Sequence, residues 1–199
     1  MADLSTPQCT MKRILILLLA LMPMIANAQK VTSNERDEKG LRTIETNIRA
    51  FFVDGHSHGC QLSYMEQDGK GLYNIFFAIS DQASKWVAKS GQIMLMKDAE
   101  GNIYEIPAGG ASFYTLAPNS KGSGIRYMVA VPYLLTPEQA EVFDKGLVKV
   151  RIAFTYEDSN TEGLMDINIP TDLTTHLKKA KKNIDKTIPM PVTVDKSVF

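Results

Sequence analysis

His56-Ser57-His58-Gly59-Cys60 is the densest set of metal-ligating side chains in the sequence. In an extended segment alternate residues share a face, so His56, His58 and Cys60 would point the same way, with Asp54 beside them. Imidazole and thiolate suit zinc or copper, and three protein ligands plus water describe an open catalytic site. Gly55 and Gly59 argue instead for a polar turn, with two solvated histidines and a buried Cys60. No fourth ligand or orienting partner is visible. His56, His58 and Cys60 therefore stand as candidates, no metal site is assigned, and no catalytic residue or cofactor is expected.

Asp158-Ser159-Asn160-Thr161-Glu162-Gly163 matches the first half of a calcium loop, in which spaced oxygens and a glycine bend enclose the ion. The closing bidentate position falls on Ile169, which carries no oxygen, so a polar hairpin turn explains the same letters. The acidic pairs Glu66/Asp68 and Glu138/Glu141 flank a turn and a surface helix, with nothing to drive their pKa values apart. Trp86 and Tyr133 would make a ligand platform, although a lone Trp in a β-domain more often fills the core. Gly122-Ser123-Gly124 sits in a turn without the strand-to-helix context of a nucleophile elbow, and no P-loop, H-E-x-x-H or G-x-G-x-x-G occurs. No catalytic machinery is visible, which leans against an enzyme.

The elements that must position these residues read as β-structure. Asp54-Gly55 and Asp68-Gly69 are hairpin dipeptides, because glycine takes φ > 0 without steric cost. Strands are expected around Gln61–Met65, Leu72–Ser80, Ile93–Met96, Ile103–Ile106, Ser112–Leu116, Ile125–Leu135, Leu147–Tyr156 and Leu164–Ile169. Leu41–Val53 is read as strand, with helix as the alternative, and Gln29–Gly40 as a flexible leader. Thr136, Pro137 and Gln139 form a capping box that opens a short helix ending at Gly146. In the following strand Val148, Val150 and Ile152 face one way while Lys149 and Arg151 face water. Thr171–Lys186 reads as an amphipathic helix whose Leu173, Leu177 and Ile184 dock on the body. Its lysines at 178, 179, 181, 182 and 186 form a solvated face, the reading preferred over contact with phosphate groups. Thr187–Phe199 is expected to run extended.

The strand–capped helix–strand module from Leu134 to Ile152 resembles one found in small exported β-sandwich proteins. It covers under a fifth of the chain, and its residues are capping and core residues. The resemblance implies a fold and transfers no activity.

Met11-Lys12-Arg13, the apolar run Ile14–Met22, Pro23 and the small pair Ala26/Ala28 have the three parts of a secretory signal. The apolar run is shorter than the roughly 20 residues that span a bilayer. Cleavage is expected after Ala28, residues 1–10 read as an upstream extension, and no cysteine follows the cleavage site to carry a lipid. Without Lys12, Arg13 and Asp3 the chain keeps 20 basic and 21 acidic residues, a balance with no general pull toward nucleic acid. Cys60 is then the single cysteine, so no internal disulfide is available and the core must hold by packing. The expectation is a mainly β, antiparallel β-sandwich over 41–170, with a short crossover helix and a C-terminal helix; α+β is the alternative. Functionally it is a periplasmic or extracellular accessory or binding protein, not integral to the membrane, engaging an envelope protein or glycan through a sheet face or edge. The alternative is a metal-dependent protein, a hydrolase included, built on His56, His58 and Cys60.

Overall fold

Asp54-Gly55 and Asp68-Gly69 both take positive φ (51° and 80°, 52° and 73°), the backbone of two-residue turns that match strand twist. They join β3 (Arg49–Val53) to β4 (His56–Gln67) and β4 to β5 (Lys70–Gln82). The computed structural model describes residues 30–108, 112–117 and 126–188. The expected signal segment 1–28, the Gly122-Ser123-Gly124 turn and the tail beyond residue 188 lie outside the described residues.

Two antiparallel sheets form a β-sandwich. The larger runs β1 (Val31–Arg36), β2 (Arg42–Thr46), β4, β5, β10 (Arg126–Leu135) and β9 (Phe113–Ala117), with β3 also on β4. The smaller runs β12 (Glu162–Asn168), β11 (Leu147–Tyr156), β7 (Ile93–Asp98) and β8 (Ile103–Pro107), with β6 (Trp86–Val87) also on β11. Alternate residues close the core: Leu62, Ile75, Phe77, Val131 and Tyr133 from the larger sheet meet Met94, Met96, Ile106, Val150 and Ile152 from the smaller. Burying one such aliphatic side chain is worth about 1.5–3 kcal/mol, and with no disulfide this packing holds the fold.

Leu41–Val53 is strand rather than helix, interrupted at Asn47-Ile48, so that β2 and β3 line up in turn along β4. The leader expected at Gln29–Gly40 is corrected: Val31–Arg36 is a strand paired with β2. Its sequence is too polar to announce burial, and the ordering comes from β2. The Asp37 carboxylate accepts the N–H groups of Lys39 and Leu41 at 2.9 and 2.8 Å, closing the turn between them. Glu66 lies 3.5 Å from Arg36 and 3.9 Å from Arg42, which sit opposite each other.

The capping box forms: Thr136 N–H donates to Gln139 Oε1 (2.9 Å) and Gln139 N–H to Thr136 Oγ1 (3.3 Å). It closes the turn 137–140 rather than the helix itself, which starts later: α1 (Glu141–Lys145) has Ala140 at its N-cap, buries Val142 and Phe143 and ends at Gly146, φ 88°. It carries the chain from β10 in one sheet to β11 in the other. The C-terminal helix, α2 (Thr171–Thr187), buries Leu173, Leu177, Ala180 and Ile184 as their spacing requires. Thr174 Oγ1 donates to Leu147 O (2.7 Å), and Lys181 lies 2.8 Å from both Asp144 of α1 and Asp185. Asp185 also accepts the Tyr73 hydroxyl. The helix is thereby tied to both sheets and to α1. Among the described residues no helix is long and apolar enough to cross a membrane.

Candidate functional site

The outer face of the smaller sheet carries a cluster of charged residues. Across four strands the register aligns Asn168, Lys149, Lys97 and Ile103, and beside them Asp166, Arg151, Leu95 and Glu105. Lys97 and Lys149 are directly opposite each other, a like-charge arrangement that destabilises a bare sheet. Asp166 offsets part of it. Its carboxylate takes both Arg151 nitrogens, Nε at 2.5 Å and Nη2 at 2.8 Å, and Lys149 Nζ at 2.8 Å. Those hydrogen bonds, Arg151's first, hold Asp166 well below the usual carboxylate range. Lys149 and Arg151 thus share one closely placed acid.

Leu95, Lys97, Ile103, Lys149 and Arg151 line a cleft of about 200 Å³. Next to it Ile93, Ala153, Glu162 and Leu164 line a wider groove of about 670 Å³. Ile103 is 63% and Leu164 68% exposed, so apolar surface flanks the cations. The arrangement offers charge and apolar contact area side by side. The wet orientation of Lys149 and Arg151 is legible in sequence. Lys97 joins them only through the β7–β11 register, which no local signal announces.

The His56–Cys60 segment is not the polar turn that Gly55 and Gly59 suggest. It is the first half of β4, held straight by β3 on one side and β5 on the other. His56, His58 and Cys60 do share a parity, yet they are not gathered into a ligand set. Cys60 is fully buried, and burial pushes its thiol pKa far up, away from the thiolate a metal needs. His58 Nδ1 accepts the Ser80 N–H (3.3 Å), and the Phe51 ring lies 5.4 Å from the imidazole. Among the described residues no group of three or more His, Cys, Asp or Glu is arranged to hold a metal.

The remaining candidates are absorbed by the fold. Residues 157–159 turn between β11 and β12, and Asn160 Oδ1 accepts from Lys89 Nζ at 2.7 Å. Trp86 and Tyr133 are core, Trp86 stacking 4.7 Å from Phe154 and donating to Gln82. Glu66 neutralises two arginines, and Glu138 and Glu141 lie at the capped turn and first turn of α1. His176 is buried on the inner face of α2. Comparison with protein-family models and with curated proteins finds no match for this chain.

Proposed function

We propose that this chain is an exported, non-enzymatic accessory protein of the cell envelope. It acts in the periplasm or outside the cell and holds an envelope protein or glycan against the outer face of its smaller sheet. The observation that carries this reading is the Lys97–Lys149–Arg151 cluster, in which Asp166 pairs with Lys149 and Arg151, flanked by exposed Ile103 and Leu164. Charged groups supply steering and register while the apolar neighbours supply contact area. The export half of the reading rests on Met11–Ala28.

Two measurements test it. Cell fractionation is expected to recover the chain outside the cytoplasm with Gln29 as its first residue; an intact cytoplasmic chain overturns export. In cross-linking and pull-down from an envelope fraction, a Lys97→Glu/Lys149→Glu variant is expected to lose at least about tenfold of the captured partner, reversing two charges at the contact. Equal capture by the variant overturns the assignment of this face.

A further inference from the structure

We infer that β3 is the seam of a twofold dimer, pairing antiparallel with β3 of a second copy and joining two larger sheets edge to edge. β3 hydrogen-bonds to β4 on one side, and no described strand pairs with its other side. A free edge offers unpaired N–H and C=O groups to any strand that fits, and proteins ordinarily guard such edges with charge, proline or cover. The other edges here are guarded. β1 carries Glu35 and Arg36, β12 carries Glu162 and Asp166, and β8 carries Glu105 and Pro107. At β9, Lys85 Nζ lies 5.1 Å from the centre of the Tyr114 ring. β3 reads Arg-Ala-Phe-Phe-Val, without proline and with its single charge at the start. It leaves Phe52 69% exposed beside Ile48 at 62%.

The occupant that fits this edge is the same strand turned about a twofold axis. Antiparallel pairing centred on Phe51 sets Ala50 opposite Phe52 of the second copy and Phe52 opposite its Ala50. Large thus meets small twice on the outer face, and the contact is self-complementary as a closed twofold requires. The same register sets Arg49 of each copy opposite Val53 of the other on the inner face, where Arg49 lies 3.4 Å from Asp172 of its own chain. Gly59 and Ala78 follow Ala50 across the sheet, with the Ile48 side chain lying over Gly59. Five residues a side is few against the roughly 20–30 of a standard interface, so the dimer is expected to be reversible in the micromolar range.

Sedimentation equilibrium of the full chain as cells accumulate it, from about 1 to 200 μM, is the test, a range chosen to bracket micromolar association. A shift from one to two chains per particle supports the seam. Phe52→Lys is expected to abolish that shift at unchanged far-ultraviolet circular dichroism, because Phe52 is exposed in the single chain. Leu164→Lys, on the smaller sheet, is expected to leave it intact. A chain that stays monomeric throughout, an open series of higher oligomers, or a dimer that survives Phe52→Lys overturns the inference.

Discussion

At the residue scale, His176 is a titratable group held in an unfavourable setting. It is 8% exposed, and its Nε2 is buried without a hydrogen-bond partner. Its pKa is pulled down to about 4, first by burial, then by Arg49 of β3 and by Lys179 on its own helix, with Asp172 opposing. A base with a depressed folded-state pKa binds its proton more readily when unfolded. Stability is therefore full above the ordinary value of 6.5 and falls as pH drops from there toward 4. The difference is on the order of 2–3 kcal/mol at its lower limit, from about 1.4 kcal/mol per pKa unit with allowance for relaxation. Asp166 acts in a separate window: its contribution is present at neutral pH and is lost only as pH falls below the ordinary carboxylate value of about 3.9. Urea unfolding at pH 7 and pH 4.5 should show a drop in midpoint for the natural chain and a much smaller one for His176→Leu. Equal drops in both would assign the acid sensitivity to other groups.

At the element scale, the β11–β12 hairpin shows what the glycine of the half calcium motif is for. Gly163 lies directly opposite Phe154, and a Cβ placed on it would come within 2.5 Å of the Phe154 ring. That ring stacks 4.7 Å from Trp86 and 5.0 Å from Tyr156, so it has little freedom to withdraw. Gly163→Ala is expected to destabilise the fold by about 1–3 kcal/mol, the range for overpacking a closed core. Gly59→Ala, whose Cβ would meet Ala78 and Ile48 at 3.3 Å, should cost less. Thermal unfolding of the two variants side by side checks the order, and added calcium should shift neither. Local chemistry of this kind is what made much of the fold legible. The Asp-Gly turns, the Thr136–Gln139 capping box and the Leu173–Ile184 spacing each act within a few residues, and each was readable. β1 was not, since Val31–Arg36 has no apolar pattern and is ordered by β2. Gly59 misled in the opposite direction, because the strands flanking β4 override its conformational freedom. The candidate face was half legible: alternation turns Lys149 and Arg151 to water, but Lys97 reaches them only through a pairing across 52 positions of chain.

At the scale of the whole molecule, stability has to come from one continuous core, because Cys60 is free and no covalent staple closes any loop. Cys60 lies inside that core on β4, between β3 and β5, and its thiol is held protonated by burial. A thiol reagent needs both access and thiolate, and neither is available until β4 separates from its neighbours. Fraying of α2 or of β1 does not open that position from both sides, so modification requires opening of the larger sheet itself. In a Cys9→Ser background, labelling of Cys60 by an aromatic disulfide reagent at pH 8 should therefore be slow in native buffer. Across a urea series its free energy of opening should run parallel to that of circular-dichroism unfolding, with the same dependence on denaturant. Reducing agent should leave the thermal midpoint unchanged. Rapid stoichiometric labelling without urea would mean that β4 opens locally, and that the core is divided rather than continuous.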